Sequence, residues 1–196
     1  VERLKQTYSI LSQAIKMSEI DNGPVEEWNI PAENVSYEIR KQFAEQYFVP
    51  YLKKVKVCTS AMSCYSAKTH YLNGREGGYS NSNSYYYIIL NNGIVMNIFP
   101  RGTWLDLDVD INGKQVPNTN GKDLFFMFLP KQDVKSHVYG KNLKKGRLYF
   151  WGQGYGRTYL KTNGYACSKS AGTFSGMYCG ALIYLDGWQI AKDYPW

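Results

Sequence analysis

The stretch Trp104-Leu-Asp-Leu-Asp-Val-Asp-Ile-Asn-Gly-Lys-Gln-Val-Pro-Asn-Thr-Asn-Gly-Lys-Asp-Leu-Phe-Phe-Met-Phe-Leu129 decides how this chain is read. Leu105, Leu107, Val109 and Ile111 alternate with Asp106, Asp108, Asp110 and Asn112. That is the period of a half-buried strand with a row of carboxylates on its wet face. Asn112-Gly113, Pro117-Asn118 and Asn120-Gly121 punctuate a loop, after which Leu124 to Leu129 resumes as a buried apolar strand.

Upstream, Tyr85 to Leu90 and Ile94 to Phe99 flank Asn91-Asn92-Gly93, a strong hairpin signal, and residues 104–111 and 123–129 extend the same antiparallel meander. Gly74 to Ser84 is rich in Gly, Ser and Asn and reads as an exposed loop. Downstream, Arg147 to Trp151 and Tyr178 to Leu185 read as further short strands, with Asp186-Gly187 turning the last one into Trp188-Gln-Ile190. Ahead of the strands, Val1, Leu4, Tyr8, Leu11 and Ile15 recur every three or four residues, an amphipathic helix of about five turns that Asp21-Asn22-Gly23-Pro24 stops. A second helical stretch runs from about Ser36 to Leu52, with Ile39, Phe43 and Tyr47 on one face and Pro50 disturbing its end. Helices first and strands afterwards indicate an α+β architecture. We expect one domain over 1–196: an opening helix (1–20), a helix and loop region (21–84), and an antiparallel sheet with a C-terminal region (85–196).

The formal charge of +7 favours anionic partners. The basic residues are nevertheless scattered, clustering only at Lys53, Lys54 and Lys56 and from Lys141 to Arg147, which is short of a nucleic-acid stripe. Four cysteines form two local pairs, Cys58 with Cys64 and Cys167 with Cys179. Three connectivities are open, of which the local one closes the smallest loops. Zinc-knuckle spacing is absent, and paired cysteines point to an oxidising compartment. No apolar run reaches bilayer-spanning length. Val1 sits directly on the helical pattern, so the expectation is that the element was longer in a precursor.

Searches for catalytic machinery fail. His70 and His137 lie in no recognisable motif, Ser175 lacks the G-x-S-x-G elbow, and Gly152-Gln-Gly154-Tyr-Gly156 has neither phosphate-loop spacing nor its lysine. Neither an enzymatic activity nor a small-molecule substrate is expected. The one cofactor in view is calcium: Asp108-x-Asp110-x-Asn112-Gly113 copies the first half of an EF-hand loop. Thr119 stands where the bidentate carboxylate belongs, so Asp123 would have to fold back as its substitute. The competing reading is a solvated strand face that discourages edge pairing. Trp188, Tyr194 and Trp196 offer flat apolar faces for a ligand, or cover the sheet or a neighbouring subunit.

Four passages, taken together, resemble the bacterial type IV pilin-like and type II secretion pseudopilin family. They are Leu4-Lys-Gln-Thr-Tyr8 to Ala14; Phe48 to Cys58 with Tyr86 to Ile98; Asp110-x-Asn112-Gly113 through Pro117-Asn118, Gly121, Asp123 and Phe125; and Cys179 to Ile190 with Asp193-Tyr-Pro-Trp196. The resemblance implies a pilin-like fold: a long N-terminal helix packed on an antiparallel β-sheet with disulfide-stapled loops. It implies a non-catalytic filament subunit, periplasmic or at the cell surface, that packs against other pilin or pseudopilin subunits, with Val1, Leu4, Tyr8, Leu11 and Ile15 as the packing face. It also implies a precursor with a short leader, a methylated N-terminus and an apolar segment, absent from this chain, that anchors in the inner membrane. Some members bind calcium near the C-terminus. The rival expectation is an extracellular binding module or minor pilin that takes DNA or carbohydrate, through Lys53, Lys54 and Lys56 or through Trp188, Tyr194 and Trp196.

Overall fold

The computed structural model describes residues 1–53, 55–58, 68–77, 85–113 and 115–196. Helix α1 (Glu2–Asn22) is followed by a 3-10 turn (Val25–Glu27), helix α2 (Tyr37–Tyr47) and a second 3-10 turn (Val49–Tyr51). Ser36 caps α2 by accepting the Ile39 backbone N–H, the preferred role of a serine at a helix start. Strands β1 (Lys56–Val57), β2 (Tyr86–Ile89), β3 (Val95–Pro100), β4 (Trp104–Asp110), β5 (Leu124–Pro130) and β8 (Tyr149–Phe150) form one antiparallel sheet in that order. Strands β6 (Val134–His137) and β7 (Gly140–Leu143) pair as a separate ribbon. Two short helices, α3 (Arg157–Thr162) and α4 (Cys179–Leu185), complete the described residues.

Register divides the sheet into two faces. Ile98 stands opposite Leu107, which stands opposite Met127, which stands opposite Phe150. These side chains belong to a core that also takes Leu4, Leu11 and Ile15 of α1 and Phe43 and Ala44 of α2. On the other face Asn97 opposes Asp108, which opposes Phe126. Both faces are covered. The all-apolar β5 requires this, since a strand with no polar alternation is one that meets protein on both sides.

Three expectations are corrected here. The pilin-like long helix packed on a sheet is not what the chain forms. α1 spans 21 residues, about 30 Å at the usual rise, and Gly23 (φ 77) ends it. Its helical neighbours are the Val49–Tyr51 turn and α2, and Tyr8 reaches the edge strand, stacking on Phe150 and donating to the Leu148 carbonyl at 2.9 Å. The structure thus comprises a short N-terminal helix, a six-stranded antiparallel sheet and a two-stranded ribbon. Secondly, Cys179 to Leu185 is helix α4, not a strand: Cys179, Gly180, Ala181, Leu182 and Ile183 are buried in succession, so their apolar run reflects burial on all sides and carries no strand period. Thirdly, the aspartates of β4 are not on a wet face. Asp106 is only 2% exposed and Asp110 is fully buried.

Candidate functional site

The loop after β4 is organised by two carboxylates. Asp110 Oδ1 accepts the backbone N–H of Asn112 at 2.9 Å and of Gly113 at 2.8 Å. Asp123 accepts the backbone N–H of Asn118 at 2.8 Å, that of Thr119 at 2.5 Å, and the Asn112 amide nitrogen at 3.0 Å. With its amide turned to suit its neighbours, Asn118 donates to Asp110 Oδ2 at 3.1 Å. Burial pushes the Asp123 carboxyl upward and those N–H donors oppose the shift. Asn118 holds φ 47 and Gly121 φ 80, conformations that asparagine and glycine tolerate best. The recurrent Asn and Gly of the loop therefore serve its backbone. Asp108 lies elsewhere, receiving the Asn97 amide at 3.4 Å. Asp108, Asp110, Asn112 and Asp123 thus divide between two surroundings. Among the described residues no three His, Cys, Asp or Glu side chains gather as a metal-holding group.

Cys167 and Cys179 are bonded, with Cα atoms 4.6 Å apart. Cys58 is buried and its N–H donates to the Tyr87 carbonyl at 3.1 Å, while Cys64 lies outside the described residues. The C-terminal aromatics are largely committed to the fold. Trp188 packs edge-on against Tyr8 and Phe150, at 5.7 and 5.9 Å between ring centres. Tyr194 is buried and donates its hydroxyl to the Cys179 carbonyl at 2.9 Å. Only Trp196 of the three stands exposed. Arg157 ties this segment down through Asp186 at 3.0 Å and Asp193 at 2.7 Å, so the Asp193 carboxyl lies below the usual carboxylate range, held there by Arg157 and then Lys161.

Of the basic residues, Lys53 and Lys56 are exposed and Lys54 lies outside the described residues. In the second cluster Lys144 pairs with Asp133 at 2.7 Å and Lys145 with Glu26 at 2.8 Å, which spends charge that a phosphate backbone would need. The helix face named from spacing is occupied as well: Leu4, Leu11 and Ile15 are buried within this chain's own core, Tyr8 is half-buried, and Val1 alone is exposed.

Two features escaped the sequence reading. The first is a second apolar stripe on α1, Ile10, Met17 and Ile20, spaced by seven and three residues on one side of the helix. Met17 is 49% exposed and Ile20 83%. Ile10 and Met17 line a groove of about 370 Å³ with Tyr51, Leu52, Lys53 and Leu90. The spacing was present in the sequence but was masked by the stronger Leu4 to Ile15 pattern.

The second is a cavity of about 310 Å³ on the polar face of the sheet. Asn97, Asp106 and Asp108 lie on its strands, and Phe99, Phe126, Tyr139, Trp151, Tyr165 and Phe174 enclose it. Arg101 Nε meets Asp106 Oδ2 at 2.5 Å and its Nη1 meets Glu33 at 2.5 Å. Burial pushes the Asp106 carboxyl up to about 6, against the pull of Arg101 and a contribution from Trp104. Burial and the Asp106 charge raise Asp108 well above its ordinary range. The two partners of the pair respond oppositely. On the better exposed guanidinium burial is the largest single influence, but the Asp106 charge and hydrogen bond, joined by Tyr139 and Glu33, together outweigh it and hold Arg101 above its usual range, whereas on Asp106 desolvation wins. The sequence signal for this cavity was the contradiction between acidic β4 and wholly apolar β5: adjacent strands share their faces, so the acids had to be covered.

The fold and these features define a disulfide-bonded α+β chain with a half-open acidic and aromatic cavity. Its sequence matches, over residues 1–196, the model of a family of unknown function, DUF6613, and the chain belongs to that family. No curated protein and no solved structure matches it. Among the described residues no helix is long and apolar enough to cross a membrane.

Proposed function

We propose that this chain is a non-catalytic structural subunit, a pilin or pseudopilin, of a type IV pilus or type II secretion-like filament, working in the periplasm or at the cell surface. The observation that carries the reading is the outward pair Met17 and Ile20 on α1, with half-buried Ile10 beside them lining the groove. An exposed Ile and Met beside an open groove are costly to leave in water, at about 25 cal/mol per Å² of apolar surface, and a helix of a second subunit covers such a stripe. Heterologous contacts of this kind, one face against a different face, propagate as a filament instead of closing. The reading needs no spine-length helix within residues 1–196. The resemblance of Asp110 to Phe125 and of Cys179 to Trp196 to the pilin and pseudopilin family supports it, and the Cys167–Cys179 bond agrees with an oxidising compartment. Anchoring in the inner membrane would fall to a segment outside this chain.

The test is assembly of the full gene product in its own cell. Ile20→Asp and Met17→Lys alter exposed side chains, so folding and melting temperature stay unchanged while the subunit disappears from sheared surface filaments. Wild-type assembly of both variants contradicts the proposal. The second reading, an extracellular binding module, draws on the cavity beside β4. A DNA ligand in particular predicts affinity falling steeply with salt.

A further inference from the structure

We infer that the cavity on the polar face of the sheet is a binding site for a monosaccharide-sized polyhydroxylated ring. The inference stands apart from the filament reading, since it uses none of the residues on the outer side of α1. Its volume of about 310 Å³ falls at the small end of ligand pockets, which run from about 300 to 1,000 Å³.

The polar atoms on its lining choose the ligand class. Among the described residues, Asn97 Oδ1 and Trp151 Nε1 are buried without a hydrogen-bond partner, Asp106 Oδ1 has at most the Trp104 indole beside it, and all three side chains line this one cavity. Two are acceptors and one is a donor. Buried polar groups are ordinarily satisfied, so three on one cavity specify what belongs there. An organic cation carries donors only and leaves the Trp151 N–H unmet. An anion answers Trp151 but meets the Asp106 carboxylate. Adjacent hydroxyl groups donate to one neighbour and accept from another, which answers all three.

The walls select the rest of the molecule. Tyr165 and Phe174 stack at 5.0 Å between centres with an interplanar angle of 11°, and Tyr139 stands edge-on to Trp151 at 4.2 Å. Aromatic walls beside hydrogen-bonding groups suit a pyranose, whose axial C–H groups form an apolar face and whose hydroxyls rim it. A linear polyol has no such face.

The full chain is titrated by calorimetry and by saturation-transfer NMR with glucose, galactose, mannose and N-acetylglucosamine, with propylammonium and acetate as charged controls. At least one sugar is expected to saturate and to receive magnetisation on its C–H protons, and the controls to show nothing. Trp151→Phe, which keeps an aromatic ring, smaller than the indole, and removes the N–H donor, is expected to weaken that sugar about tenfold. Phe174 is 37% exposed, so Phe174→Ala folds normally and serves as the second variant, with a similar loss. The inference is overturned if no sugar saturates at roughly 50 mM, far weaker than a millimolar site. It is equally overturned if propylammonium binds in their place, or if both variants bind as wild type does.

Discussion

Asp123 holds Thr119 at 2.5 Å, carboxylate oxygen to backbone N–H, and so fixes the end of the loop from which β5 departs. The same carboxylate takes the Asn118 N–H and the Asn112 amide. Asp123→Ala strands three donors in a buried setting and is expected to cost about 3 kcal/mol, since hydrogen bonds to charged groups contribute about 1.5–3 kcal/mol each and part is recovered by water. For a chain of this size that lowers the melting temperature by roughly 6–12 °C. A change under roughly 2 °C, set against that scale, would show that the loop is held by something else.

Asp106 makes stability depend on pH in an unusual direction. Its folded carboxyl is pushed up to about 6 by burial, above the unfolded value of about 3.9. Between those values the folded chain keeps a proton that the unfolded chain has released, so stability falls as pH rises through that window and is flat above it. Asp108 adds to the same trend. Asp193 acts oppositely: its lowered carboxyl gives stability present above the unfolded value and lost as pH drops below it. The urea midpoint of wild type minus that of Asp106→Asn, followed from about pH 4 to pH 7, isolates Asp106, and we expect the difference to decline across the window. A difference that rises with pH would reverse the assignment.

Gly121 lies against the disulfide. A Cβ at this position would sit 2.3 Å from Cys179 Sγ and 3.0 Å from the Gly176 carbonyl, on a backbone at φ 80. Gly121→Ala is therefore expected to destabilise by more than about 3 kcal/mol, combining overpacking with a left-handed backbone. In the Cys167→Ala, Cys179→Ala background the clash with sulfur is relieved, so the same substitution costs measurably less. Equal costs in the two backgrounds would show that the left-handed backbone and the remaining contacts, with Cβ of residue 179 at 2.7 Å and the Gly176 carbonyl, set the penalty. Loss of the bond itself is expected to cost about 2–5 kcal/mol.

How much of this was legible from sequence varies with the range over which each signal acts. The hairpin at Asn91-Asn92-Gly93, the stop of α1 at Gly23 and the loop that Asp110 and Asp123 brace are short-range features, carried by turn residues that few other conformations accept. The Cys167–Cys179 bond closes a separation of 12 residues and was legible for the same reason. What failed depends on what lies across the sheet. Alternation in β4 gave the two faces correctly but not that both are covered, because Tyr139, Trp151 and Phe174, which line the same cavity as Asp106, arrive from distant parts of the chain. The strand expected from Tyr178 to Leu185 failed because an all-apolar run carries no period by which a buried helix and a buried strand differ. For the helix face Leu4 to Ile15, periodicity locates a stripe but does not tell an intramolecular partner from an intermolecular one.

The most direct test of the account is site-specific cross-linking from α1 in intact cells. A photoreactive residue at Ile20, which is 83% exposed, is expected to yield a ladder of adducts between copies of this chain or with related subunits. The same residue at Glu38, on the exposed side of α2, should yield none. Monomer alone from the Ile20 position, in cells where the protein is present and folded, would contradict the subunit role.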